Sequence, residues 1–344
     1  MSRITNRQKN ILNHFIYNTE HRISDIFNNF LSEKVSVATL KRDLTNLIKY
    51  GFLELKGEGK NSFYVLTGYG LLHRNIDRNI KDLEINKYNF DLLGLLKNND
   101  LFFEDEINML NNATEKFILK SKNITDTILK KELERFIIEL SWKSSKIEGN
   151  TYSLLDTEKL IKDGILSKKN TEEEAVMILN HKKAFSYILE KKDIIHFREL
   201  ETIHRLIVDG LGINHGIRKS AVGITGSKYL PLDLHFTIEE ETRSMIDVLK
   251  EKKDFFSKAL IAVLFISYLQ SFEDGNKRTA RLFANGVLIN GGYAPLSYRD
   301  VDEEEYREAI IDFYEYNSIE SFKKIFIKQY IFSCENYNFF TALK

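Results

Sequence analysis

The chain has 344 residues, of which 43% are hydrophobic and 12% aromatic, enough apolar surface to fill the cores of two or three domains. Fifty basic and fifty acidic residues cancel, which excludes a chain drawn to nucleic acid or membrane by its overall charge; such a partner requires a local patch. Cys334 is the single cysteine, so an internal disulfide is excluded, and no run reaches the roughly 20 apolar residues of a membrane span. Met1 to Asn10 has no apolar signal core, so the expected location is cytoplasmic with no membrane partner. With Pro231 and Pro295 the only prolines, long helices are expected to dominate.

Residues 1–67 form a separate expected unit. Ile11, Leu12, Phe15 and Ile16, then Ile23, Ile26, Phe27 and Phe30, set the apolar faces of two short helices. A third follows Ser36, a good N-cap, with Val37, Leu40, Leu44, Leu47 and Ile48 apolar and Gly51 as its stop. Its other face carries Thr39, Lys41, Arg42, Thr45, Asn46 and Lys49. Residues 52–56 and 62–66 flank a glycine-rich turn and predict a β-hairpin. Three helices and a two-stranded wing resemble a winged helix-turn-helix, which implies DNA binding through Thr39, Lys41, Arg42, Thr45 and Lys49, with Lys56 and Lys60 near phosphates. Ten basic residues against six acidic ones over this unit give only +4, and such units also serve as protein-interaction modules.

Residues 68–120 read as a helical connector packed on the larger C-terminal unit, with Phe90, Leu92, Leu93, Leu95 and Leu96 apolar, a break at 98–100, then Ile107, Leu110 and Phe117. The histidines, His73 among them, are scattered without metal-ligand spacing. Lys131 to Asn150 predicts a helix with Leu133, Phe136, Ile137 and Leu140 on its apolar face; Ser144 and Glu148 lie four apart on one face and Gly149 ends it. Taken alone, Glu148 is an exposed acid at a helix end, where the dipole disfavours it. Residues 157–163, 171–189 and 197–208 are scaffold helices. Residues 218–234 break the helical pattern with Val222, Gly223, Ile224, Gly226 and Pro231, and predict an extended hairpin.

The most informative stretch is 262–289. Ala262 to Leu269 is apolar almost all round, the pattern of a buried helix; Leu282, Phe283, Val287 and Leu288 mark a second helix from just past Thr279. The loop between them suits phosphate: Gly275 permits a tight turn that aims N–H groups from a helix N-terminus, and Arg278 and Arg281 share a face. Asp274 is a candidate Mg²⁺ ligand. The plain alternative is that Asp274 caps a helix and the arginines pair with surface acids.

The order of residues along this stretch resembles the Fic/Doc (Fido) signature, His-x-Phe-x-Asp/Glu-Gly-Asn-Gly/Lys-Arg-x-x-Arg, matched at Phe272, Asp274, Gly275, Asn276, Lys277, Arg278 and Arg281. The resemblance implies a mainly α fold, a helical core over residues 121–344 with a small β-hairpin flap. It further implies ATP as substrate, Mg²⁺ on Asp274, phosphates on Gly275, Asn276, Lys277, Arg278 and Arg281, and transfer of AMP to a hydroxyl of a target protein. By the same resemblance Ser144, Glu148 and Gly149 match an inhibitory motif whose glutamate pairs with Arg281, and Val222, Gly223 and Ile224 lie on the flap that adds a target strand. Relatives often form homodimers. Two positions depart. Gln270 stands where the family has its catalytic histidine, and an amide accepts no proton at neutral pH. Lys277 stands where many members have glycine and where the phosphate-transferring Doc type has lysine. Two further readings stay open: an ATP-sensing, DNA-bound pseudoenzyme, and removal of AMP with Glu148 positioning water.

Overall fold

The computed structural model describes residues 4–339 apart from Ile16, Asn18, residues 30–34, residues 77–86 and Asn123. Ile16 and Phe30, expected on apolar faces, lie outside the described residues. In chain order, α1 (Asn6–Asn13), α2 (Ile23–Asn29) and α3 (Val37–Lys49) precede a hairpin of β1 (Leu53–Lys56) and β2 (Phe63–Leu66), and then come α4 (Gly68–His73) and α5 (Leu92–Asn98). There follow α6 (Glu104–Ser121), α7 (Asp126–Ile147), α8 (Leu154–Asp163), α9 (Glu172–Leu189), α10 (Phe197–Val208) and α11 (His235–Glu251). The chain ends in α12 (Phe255–Leu269), α13 (Asn276–Asn290), α14 (Glu303–Tyr316) and α15 (Glu320–Asn336). The expected mainly α class holds.

Local chemistry sets the ends of these elements. Thr5, Ser36, Thr125, Ser153, Thr171 and Asp302 each accept a first-turn N–H as N-caps. Helix α12 is hydrophobic on every face because it is the axis of the core; all its residues from Phe256 to Leu269 are buried, packed chiefly on α13, α11 and α14.

The N-terminal unit has its own core of Ile11, Leu12, Phe15, Ile26, Leu40, Leu44, Leu47, Phe52 and Leu66. Val37 is not part of it. It sits in the first turn of α3, off the buried stripe, and is 47% exposed. The wing gains a third edge that sequence reading missed, because His21 pairs with Tyr64 through N–H to carbonyl bonds of 3.0 and 2.8 Å. A one-residue bridge leaves no periodicity to detect.

The boundary expected at residue 67 is crossed by packing. In α4, Leu71 belongs to the N-terminal core and Leu72 to the main one. Arg74, buried, donates to the carbonyls of Phe15 at 2.6 Å and Tyr316 at 3.1 Å, so one side chain ties both units. His73 lies between Glu320 Oε1 and the Asp100 carbonyl, each 2.8 Å away. The connector helices α5 and α6 bury Leu92, Leu93, Leu96, Leu110 and Phe117 in the main core, whereas Phe90, expected with them, is 60% exposed ahead of α5.

Residues 218–234 form no hairpin. Among the described residues the paired strands are β1 and β2 alone, and here a turn at Thr225–Gly226 separates two extended arms with no ladder between them. Leu230 makes a single parallel bridge to Lys87, and otherwise the arms are held by side chains. Arg218 Nη1 donates to the Ser220 carbonyl at 2.7 Å and Nη2 to that of Leu232. Tyr229 is buried in a stack on Tyr268, ring centroids 4.4 Å apart. Val222 and Ile224 face inward, Ala221 and Gly223 outward, so the strand-like alternation was legible although the pairing is absent.

Candidate nucleotide-binding site

Helix α12 ends at Gln270, whose backbone is left-handed with φ 51°, uncommon for a residue with a side chain. The chain then loops to Gly275, also left-handed at φ 77°, and α13 starts at Asn276, three residues before the sequence expectation. Glycine is favoured here by conformation, and the space is tight, since a Cβ would sit 3.0 Å from Val208 Cγ1 and 3.4 Å from Ile207 Cγ2. We expect Gly275→Ala to lose about 1–2 kcal/mol through the left-handed backbone alone. Thermal unfolding checks this; an unchanged midpoint would overturn it.

The earlier helix start puts Asn276, Lys277 and Arg278 in the first turn, where their N–H groups have no intrahelical acceptor and face outward as an anion cradle. The side chain of Asn276 is used differently from the expectation. It closes the loop: Oδ1 accepts the Phe272 N–H at 2.9 Å, and Nδ2 donates to the Phe272 carbonyl at 2.8 Å and to Gln270 Oε1 at 3.1 Å. Any phosphate contact from Asn276 therefore comes from its backbone. Gln270 completes the staple by donating from Nε2 to the Ser267 carbonyl at 2.6 Å. Tyr298 and Tyr314 are core residues, both buried.

Glu148, Met177, Gln270, Asp274, Gly275, Asn276, Lys277 and Arg278 line a cavity of about 130 Å³. Arg278 is buried, with Nη2 3.4 Å from Asp274 Oδ2 and Nη1 without a partner, so one cationic donor is left for an anion. Asp274, like Glu273 beside it, is an exposed carboxylate of the loop; its Oδ1 accepts the Gly275 N–H at 2.5 Å. No group of three or more His, Cys, Asp or Glu side chains that could hold a metal ion exists among the described residues.

Glu148, just past α7, reaches into this cavity from the opposite wall. Its Oε2 is 2.9 Å from Lys277 Nζ and its Oε1 2.9 Å from Arg281 Nη2. Burial by itself would push the carboxyl up, but Arg281 and Lys277 outweigh it and hold the pKa at about 2. Arg281 is wholly enclosed: Nε donates to Ser144 Oγ at 2.9 Å, Nη2 to the Ser144 carbonyl at 2.8 Å and Nη1 to Tyr306 OH at 3.3 Å. Sequence reasoning missed His181, which orders this corner. Its Nδ1 faces the Met177 carbonyl at 2.9 Å, an acceptor only, so Nδ1 carries the proton and Nε2 accepts from Ser144 Oγ at 2.8 Å. Burial lowers its pKa to about 3, so the ring is neutral at pH 7. Its partners sit on two other helices, which no local spacing reveals.

His204 was also overlooked. It stacks on Phe272 at 3.8 Å and donates from Nε2 to the Asp274 carbonyl at 3.0 Å, fixing the loop where it turns into Gly275. Gly149, with φ 96°, turns the chain away after Glu148, and Asn150 then anchors it to the Glu174 carbonyl at 2.9 Å. Thus Ser144, Glu148, Gln270, Asp274, Gly275, Lys277, Arg278 and Arg281 converge on one site. Val222, Gly223 and Ile224 lie on the neighbouring arm, and the basic residues of α3 belong to the separate N-terminal unit.

Together these elements form a helical core in which a loop-to-helix turn faces a carboxylate from a second helix. Residues 194–288 match the sequence model of the Fic/DOC family. Similar curated proteins are protein adenylyltransferase Fic of Aedes aegypti, 27% identical over 55% of this chain and 39% of the relative, and that of Nematostella vectensis, 26% identical over 52% and 44%. The matches thus span less than half the length of these relatives. Among solved structures, C. elegans Fic-1 (residues 134–508) superposes with a TM-score of 0.57 at 18% identity, covering 70% of this chain and 72% of that one. A Fic family protein from Desulfovibrio desulfuricans G20 gives 0.58 at 18% identity, covering 68% and 74%. These structures speak to the fold. No helix among the described residues is long and apolar enough to cross a membrane.

Proposed function

We propose that the chain binds ATP and belongs functionally with the protein adenylyltransferases, that Glu148 holds it shut, and that Gln270 impairs transfer. The observation that carries this reading is the Glu148 carboxylate 2.9 Å from both Lys277 and Arg281, seated where a phosphate would be neutralised. In AMP transfer, the target hydroxyl oxygen bonds to the α-phosphorus as the bond to the bridging oxygen breaks. Pyrophosphate leaves, and the hydroxyl proton needs an acceptor. The amides of the first turn of α13, Arg278 and, once released, Lys277 and Arg281 would stabilise the phosphates. Mg²⁺ on Asp274 would neutralise charge on them. Gln270 orients but accepts no proton, and both of its amide atoms are engaged within the loop. The unpaired arm at 219–224 leaves backbone groups for a target strand.

Glu148 is a poor base for removing AMP while its pKa is held at about 2, so that reading requires its release first. Lys277 keeps phosphate transfer in view. The test uses ATP labelled at the α- or the γ-phosphate with the Gln270→His, Glu148→Gly chain. Label on protein from α alone supports adenylylation, and label from γ alone would replace it with phosphorylation.

A second reading, for residues 1–67, is DNA binding by a winged helix. Lys41, Arg42, Thr45 and Lys49 are exposed on one side of α3 and Lys56 and Lys60 on the wing, with Thr39 half-buried beside them. Asp43, the acid of that helix, is buried against Arg7 at 2.5 Å and Gln8 at 3.1 Å, so it does not oppose the basic face. We expect mixed-sequence duplex DNA to bind with steep salt dependence, and Lys41→Ala with Arg42→Ala to lower the salt slope by about 2. Fluorescence anisotropy at several salt concentrations measures it; binding indifferent to salt would turn the face over to a protein partner.

A further inference from the structure

We propose that Arg218 is a positioning residue that locks the backbone at Gln270 and fixes both arms of the 218–234 segment against it, so that one guanidinium sets where a target hydroxyl meets position 270. The inference rests on the adenylyl-transfer reading and names a residue that reading does not use.

Gln270 and its flanking segment need such a device for two reasons. A left-handed residue with a side chain, at φ 51°, persists only where its surroundings hold it. Two extended arms without a ladder have no backbone bonds to fix their separation. Arg218 answers both needs at once. Its Nε donates to the Gln270 carbonyl at 2.6 Å and its backbone N–H to the Ser271 carbonyl at 3.0 Å, gripping the turn from the segment side. Its two remaining nitrogens donate to carbonyls on opposite arms, Ser220 and Leu232. His235 Nδ1 lies 2.9 Å from the Arg218 carbonyl, so α11 holds the backbone of the clasp as well.

The side chain is 4% exposed and has acceptors at Nε, Nη1 and Nη2 with no carboxylate among them. Its job is therefore geometric rather than the neutralisation of an acid. Three carbonyl acceptors on three chain segments, one for each guanidinium nitrogen, suit a guanidinium fork and not an ammonium. The far arm is independently moored. Ser227 Oγ donates to Glu315 Oε1 at 2.8 Å, the Lys228 N–H donates to the same oxygen at 2.6 Å, and Tyr229 stacks on Tyr268. What remains for Arg218 to set is the distance from arm to catalytic position, the quantity on which alignment of hydroxyl and phosphorus depends.

The experiment compares Arg218→Lys and Arg218→Gln in the full-length Gln270→His, Glu148→Gly chain. Three quantities are read: ATP affinity by calorimetry, the rate of α-label transfer, and amide exchange over residues 218–233 and 269–273. We expect ATP affinity to stay within about twofold, because the phosphate cradle lies beyond Arg218, and transfer to fall on the order of 10²-fold, the cost of a small misplacement. Exchange should accelerate in those two segments and not in α12 or α13, with lysine failing to rescue. Full transfer by Arg218→Lys, unaltered exchange in both segments, or a parallel loss of ATP affinity would each overturn the positioning role. If Arg218→Gln fails to fold, the lysine variant carries the comparison. If the parent chain transfers no label, the adenylyltransferase reading fails, while exchange still decides whether Arg218 holds residue 270 and the arms.

Discussion

Gln270→His should raise transfer of AMP from α-labelled ATP by on the order of 10²- to 10⁴-fold, the usual worth of a general base. The rest of the site is already arranged. The loop is closed by Asn276 and backed by His204, and the cradle amides are presented by α13. Histidine is among the side chains that tolerate a left-handed backbone best, so φ 51° at this position is no bar to the substitution. The new imidazole loses the amide's bond to the Ser267 carbonyl, so a modest loss of stability is expected beside the gain. Self-labelling is the readout, since it needs no identified target. Equal labelling by the unaltered chain would show that Gln270 does not limit transfer; no labelling by either form, with ATP bound, would move the site to a sensing role.

Glu148→Gly has the second large effect, and it acts on two quantities in opposite directions. Removing the carboxylate frees Lys277 and Arg281 for phosphate, and one or two charge-assisted bonds gained are worth roughly 10- to 100-fold in ATP affinity. Breaking a buried pair also leaves Arg281 without its counter-charge. The loss is expected to be about 3 kcal/mol at most, because Ser144 and Tyr306 still accept from it. The variant should therefore melt earlier than the parent and recover most of that loss in saturating ATP, because the ligand binds only the folded chain. Calorimetry with and without nucleotide measures both. A variant of unchanged affinity would mean that the carboxylate does not occupy the phosphate position.

The pH dependence of the same pair has a definite sign. The folded pKa of about 2 lies below the ordinary carboxylate value, so the stabilisation is fully present above that ordinary value. It is lost as pH falls through about 2. His181 is neutral throughout the physiological range, its pKa held at about 3 by burial. Neither group titrates between about pH 5 and 8, so the closed state should be insensitive to pH there. An ATP affinity that changed steeply in that window would point to a different gate.

Lys277 has a clearer part in three dimensions than in sequence. At a position where glycine leaves room for the triphosphate, it extends to Glu148 and adds a second cation to the closed state. Under the proposed reading, opening the site would exchange two ion pairs for phosphate and leave Lys277 available to the nucleotide.

Several parts of this protein were determined by the sequence alone. A uniformly apolar run marked α12 as the core axis because only a helix buried on all sides has no polar face. The order Phe272, Asp274, Gly275, Asn276, Lys277, Arg278, Arg281 marked a tight turn opening a helix because that geometry is local: a left-handed glycine, free first-turn amides and cations one helical turn apart. Ser36 announced a helix start because capping is made within four residues. Tertiary structure decided what depends on residues far apart in the chain. His181, Arg218, His204 and Tyr306 act on partners from other helices, so their neighbours in sequence carry no trace of it. Extended arms at 218–234 looked like a hairpin because alternation reports which side faces the core, whereas pairing depends on whether a partner strand lies in reach; there a buried guanidinium stands in for the ladder. Asn276 read as a phosphate ligand by position, yet its amide was drawn into closing the loop, since a buried carboxamide takes whatever donors and acceptors the fold brings to it.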